Sequence, residues 1–207
     1  MESPNNNAQV LKEGIVTFVN GPVIKAMNMR DFAMREVVHV GPKKLMGEII
    51  SMDGDNATIQ VYEDTDGLKI DEKVHGTGEA LSIEIGPGLI GSFFDGIGRP
   101  LDALLEEEGM YISPGTSVNM INREKVWDVT PVAKAGDLIT PGMVLATIQE
   151  TPLLLHRIMA PLGVEGEITW IIPAGRHKGS TDVAKVKDAF GREASIPMIQ
   201  RWPVRTP

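Results

Sequence analysis

From Glu13 to Ile85 the sequence alternates apolar and polar residues with a period near two, in short runs interrupted by glycine, asparagine, aspartate and proline. A half-buried strand has this period and a helix does not, so this part of the chain is committed to sheet. The runs are Val16-Thr17-Phe18-Val19, Glu36-Val37-Val38-His39-Val40, Gly47-Glu48-Ile49-Ile50-Ser51-Met52, Ala57-Thr58-Ile59-Gln60-Val61 and Leu81-Ser82-Ile83-Glu84-Ile85. Asp53-Gly54-Asp55-Asn56 offers residues that tolerate positive φ, and joins two of the runs as a hairpin. Four or five short strands in about 75 residues are most economically arranged as a small closed barrel, because closure removes sheet edges.

The texture changes at Gly86-Pro87-Gly88-Leu89-Ile90-Gly91, which reads as a connector. Pro100 is placed to open one short helix over Leu101-Asp102-Ala103-Leu104-Leu105-Glu106-Glu107-Glu108, and Gly109 stops it. From about Val129 to Val186 a second β-rich unit carries a weak internal echo of Gly/Asp turns followed by strands. Two similar halves of this kind suit a barrel-sandwich, with Ile148, Ile158, Val164, Ile168 and Ile171 as its core. The fold class expected is therefore mainly β: a closed barrel, a Gly/Pro-rich connector with one helix, and a barrel-sandwich. The boundaries expected are a flexible tail at 1–12, the barrel at 13–85, the connector at 86–110, the sandwich at 111–190 and a return segment at 191–207. The return segment ends in Trp202-Pro203-Val204-Arg205-Thr206-Pro207 with no turn back to a core, and reads as cut off.

Composition narrows the function. Gly and Pro make up 36 of 207 residues, 42% of the chain is apolar and 23% charged, so it is turn-rich but able to bury a core. The net charge of −8 is uneven: residues 47–85 carry −8 and 86–175 carry −6, while 176–207 carry +4. An acidic body with only ten aromatic residues argues against nucleic acid as a partner. No apolar run reaches the length of a membrane span, and the polar N-terminus lacks the order of a signal peptide, so neither direct membrane insertion nor secretion is expected. The absence of cysteine excludes disulfides, thiolate zinc sites and thiol catalysis, and accords with a cytoplasmic address.

The chemical motifs are mostly negative. Gly86–Gly91 fits G-x-G-x-x-G, but Gly96, Gly98 and Pro100 follow too soon for the helix that would hold a pyrophosphate. No Gly-Lys pair exists to make a P-loop. His39, His75, His156 and His177 are scattered singly, without metal-ligand spacing, and no serine sits in a nucleophile elbow. Asn56-Ala57-Thr58 matches a glycosylation acceptor and is more simply part of the hairpin. A biotinyl or lipoyl carrier needs an exposed lysine at a hairpin tip, and Gln149 to Pro161 contains none. No catalytic, cofactor-binding or metal-binding residue is assigned.

Several ordered blocks resemble the N-terminal third of the catalytic A (alpha) subunit of V-type and archaeal or bacterial A-type rotary ATPases. They are Gly47-Glu48-Ile49-Ile50, Gln60 to Leu68, Thr77 to Leu89, Phe94-Asp95-Gly96-Ile97 with Arg99-Pro100-Leu101, and Trp202-Pro203-Val204-Arg205. The resemblance implies that the barrel joins a crown alternating with the B subunit, and that the sandwich is the bulge of the A subunit. This bulge reads as a rigid docking surface for the peripheral stator stalk, with Arg176-His177-Lys178-Gly179, Lys185 and Lys187 offering positive charge to an acidic stalk helix. The resemblance further implies a central stalk in the parent complex, Mg-ATP or ADP bound by the parent subunit, and coupling to proton or sodium transport at a membrane to which the complex is peripheral. The nucleotide domain would begin at the connector, be interrupted by the bulge and resume past this chain. The P-loop lysine and general-base glutamate then have no positions here, and the chain alone is expected to be inactive. A free-standing β-barrel and sandwich binding module is the alternative, with a carrier domain behind it.

Overall fold

A computed structural model describes residues 12–109 and 111–204, with sixteen strands and one α-helix. The expected tail, apart from Lys12, lies outside the described residues. Strands β1 (Glu13–Asn20), β2 (Val23–Met27), β3 (Glu36–Val40), β4 (Leu45–Asp53), β5 (Asn56–Val61) and β6 (Lys73–Ala80) pair antiparallel in the order β1-β2-β5-β4-β3-β6 and close into a barrel. Val16, Ile24, Val38, Ile49, Ile59 and Val74 fill it and are fully buried. The expected hairpin forms between β4 and β5, with Asp53 paired to Asn56 and Gly54 at φ 62° as the first residue of a two-residue turn.

Two barrel strands carry little local signal. β2 follows a turn at Gly21-Pro22, and β6 reads Lys-Val-His-Gly-Thr-Gly-Glu-Ala, with two glycines where a strand should have bulk. The pairing of β6 is set by Glu36 instead. This carboxylate is 1% exposed and accepts hydrogen bonds from the N–H of Ala33 and of Gly78, both at 2.8 Å, while Lys12 Nζ lies at 3.1 Å. Gly76 makes room for it: a Cβ there would stand 2.5 Å from Glu36 Oε1 and 2.9 Å from the Phe32 ring.

The run at 81–85 is a strand, β7 (Ser82–Ile85), but not a barrel strand, which corrects the sequence-based expectation. The barrel is already closed by β6 between β1 and β3, and β7 pairs instead with the last strand among the described residues. Past the connector, helix α1 (Leu101–Glu108) begins after Pro100, which stands at the N-cap, and stops at Gly109, φ 78°. Residues 111–117 group with the barrel rather than with the sandwich, and Gly115 donates to Glu63 Oε1 at 3.1 Å.

The second compact unit comprises 83–109 and 118–202. Its strands are β8 (Val126–Pro131), β9 (Leu138–Ile139), β10 (Val144–Thr151), β11 (Leu154–Met159), β12 (Gly166–Ile171), β13 (Gly175–Lys178), β14 (Asp182–Lys187) and β15 (Glu193–Pro197). One sheet runs β11-β10-β8-β13 and the other β15-β14-β12-β9. The two orders correspond strand for strand, β8–β11 to β12–β15, and the second strand of each half has crossed into the other half's sheet. Ile148, Ile158 and Ile168 are buried in the common core, with Val164 and Ile171 packed against it. Ile196 and Met198 belong to the same core, so the sandwich reaches past the expected limit of 190. β16 (Gln200–Pro203) then returns to pair with β7.

One five-residue loop occurs twice. Asp95 Oδ1 accepts from the N–H of Ile97 and Arg99, and its Oδ2 takes Arg99 Nε at 2.8 Å. Asp188 makes the same three bonds with Phe190, Arg192 and Arg192 Nε. Partial burial pushes the Asp95 carboxyl up, but the bonds to Arg99 and Ile97 outweigh it and hold it below the usual range.

Candidate functional site

The histidines stay apart from any catalytic grouping. His39 and His75 face each other across β3 and β6, His39 Nδ1 lies 3.3 Å from the Lys44 carbonyl, and His177 Nε2 lies 2.9 Å from that of Pro173. Among the described residues no three His, Asp or Glu side chains gather to hold a metal. The basic residues Arg176, His177 and Lys178 lie on β13, whereas Lys185 and Lys187 lie on β14 in the other sheet. Lys178 also pairs with Glu124 at 2.6 Å. These cations are thus divided between the two sheets of the sandwich.

The hairpin between β10 and β11 lies within the first half of the sandwich. The chain passes between halves later, at 160–165, and that crossing also lacks lysine. The β10–β11 tip is braced: Gln149 Nε2 donates to the carbonyls of Thr151 and Leu154, and Leu153 stands 99% exposed.

Beside the turn of this hairpin the structure gathers groups far apart in sequence. The Glu150 carboxylate, 5% exposed, accepts the Gly88 N–H at 2.7 Å through Oε2, while Oε1 makes no hydrogen bond and faces His156 Nδ1 at 3.3 Å. Gly88, at φ 95°, lies against Trp127, whose ring would be 3.1 Å from an added Cβ. The Gly-Pro-Gly turn is thereby fastened to the sandwich, and no helix opens from it, since α1 begins only at Leu101. Burial pulls the pKa of His156 below its ordinary value, against the opposing pull of Glu150. An unfolded chain therefore takes up this proton first as the pH falls, and stability present above about pH 6.5 is lost on acidification. Between pH 7.5 and 5 the urea midpoint of the wild type should drop further than that of His156→Gln; parallel profiles would contradict this.

Residues 16–78 match the family described as "ATP synthase alpha/beta family, beta-barrel domain", and residues 118–205 match "ATPsynthase alpha/beta subunit barrel-sandwich domain". The chain belongs to the ATP synthase alpha/beta family. Its relatives in that family include the V-type ATP synthase alpha chain of Halothermothrix orenii, 45% identical over 95% of this chain and 33% of the relative. The V-type ATP synthase alpha chain 2 of Clostridium tetani is 49% identical over 94% of this chain and 33% of the relative. The A subunit of the A-type ATP synthase of Sulfolobus acidocaldarius is 46% identical over the same shares. The chain thus spans about a third of the length of these relatives and corresponds to the N-terminal part of a V/A-type ATP synthase A subunit. No helix among the described residues is long and apolar enough to cross a membrane.

Proposed function

We propose that this chain is the assembly and docking portion of a catalytic A subunit in a rotary ATPase that couples ATP hydrolysis or synthesis to proton or sodium transport. The observation that carries the reading is the match of both β units, in order, to V-type and A-type relatives three times as long. In this reading the barrel assembles with B subunits in an alternating hexamer, and the sandwich docks a peripheral stalk. A central stalk turns within the hexamer, and the complex lies peripheral to the membrane on its cytoplasmic side. Ile90 and Phe93 in the connector and Leu101 and Leu105 on α1 are exposed apolar residues on which the rest of a nucleotide domain would pack.

Mg-ATP belongs to the remaining two thirds of such a protein. A β/γ-phosphate cradle needs a glycine-rich loop ending in lysine, and this sequence has no Gly-Lys pair. Calorimetric titration of the 207-residue chain with Mg-ATP should therefore be flat. A dissociation constant in the low micromolar range, about −8 kcal/mol, would place a nucleotide site within this chain and overturn the assignment.

A further inference from the structure

Strand β11 is the terminal strand of its sheet, with β10 on one side and a cavity of about 220 Å³ on the other. A cavity on the face of a strand touches every second residue, because side chains alternate. This one touches four in succession, from His156 to Met159, so its wall is the strand's edge. The opposite wall is apolar, made by Ile85, Met198 and Trp202.

The edge is open to hydrogen bonding. Gln200 Nε2 donates to the Met159 carbonyl at 2.8 Å, standing in for the N–H of a further strand. In an antiparallel sheet the outward N–H and C=O fall on alternate residues, so Arg157 and Leu155 present theirs in the same direction as Met159. Among the described residues neither joins a strand other than β10. Arg157 is exposed and forms no ion pair among the described residues, and Leu155 and Met159 are 44% and 41% exposed beside it. A bare edge with apolar side chains is what folded proteins ordinarily blunt or cover.

We propose that this groove binds an extended segment of a partner protein by strand addition to β11, with alternate apolar and acidic residues. Main-chain bonds to Leu155 and Arg157 supply the register. Apolar side chains on one face enter the pocket against Met198 and Trp202, and an acidic side chain on the other meets Arg157. The 220 Å³ admits one branched or aromatic side chain and leaves the remainder to the edge. The proposal goes beyond stalk docking, since it requires a strand-forming segment and no particular parent complex.

The test uses the isotope-labelled 207-residue chain and a capped eight-residue peptide alternating leucine and glutamate. Amide exchange at Leu155 and Arg157 should slow at least tenfold at saturation, with the Trp202 indole shifted. Arg157→Glu should weaken binding at least tenfold, and a peptide with lysine in place of glutamate should restore it; unchanged exchange at Val129 and Ile168 would show the variant folded. No added protection at millimolar peptide, or equal binding by wild type and R157E, overturns the proposal. So does finding these two amides protected in the complete protein without peptide, because its own chain would then fill the groove.

Discussion

Glu36→Ala should destabilise the barrel by about 3–5 kcal/mol, the cost typical of removing one partner from a buried charged network. The substitution leaves the N–H groups of Ala33 and Gly78 without their acceptor and Lys12 without its counter-ion. It also opens a void beside Gly76, where the carboxylate now sits. Because Gly78 lies on β6 and β6 is the strand that closes the barrel, the loss falls on closure rather than on one loop. Exchange of the Val38 and Val74 amides under native conditions reads it directly, the three tryptophans all being outside the barrel strands. Glu36→Gln keeps an acceptor and should fall between the two. A loss below about 1 kcal/mol, the worth of an ordinary single hydrogen bond, would mean that water replaces the carboxylate.

The second large effect is expected from removing the sandwich from the full-length relative of this chain. The cut must follow the strands: deletion of 111–190 would remove the segment that packs with the barrel and leave β15 without β14. Residues 124–197 are the better choice. Ser180 donates to the Arg123 carbonyl and Met198 to that of Thr181, so positions 123 and 198 are near neighbours and a short linker joins them. With β7, α1 and β16 retained, ATP hydrolysis by the reconstituted complex should persist while hydrolysis-driven ion pumping falls to background. Unchanged coupling with full retention of the stator would sink the docking role.

Much of this architecture is legible in local pattern. The β4–β5 hairpin follows from Gly54, and the sandwich core follows from isoleucines at strand spacing. What was not legible depends on partners distant in the chain. β6 looks like a glycine-rich loop until Glu36, some forty residues earlier, is placed against it. β7 alternates as cleanly as any barrel strand, and alternation cannot say which sheet a strand joins. The basic residues of β13 and β14 are close in sequence but lie in different sheets, a division that charge counting does not reveal. The β11 groove needs Ile85 and Trp202 brought to His156, which no spacing announces. One missed signal was local: Asp95-Gly96-Ile97-Gly98-Arg99 and Asp188-Ala189-Phe190-Gly191-Arg192 share Asp, Gly and Arg at the same offsets, and fold alike.

The crossing of β9 and β13 into each other's sheets bears on how the sandwich responds to load. Each sheet is completed by a strand from the opposite half, with β13 bonded along β8 and β9 along β12. Drawing the halves apart therefore has to break both of these strand pairs, four residues of β13 against β8 and two of β9 against β12. Each half holds the other through a strand it has lent, so the two are expected to unfold as one cooperative unit and not in turn.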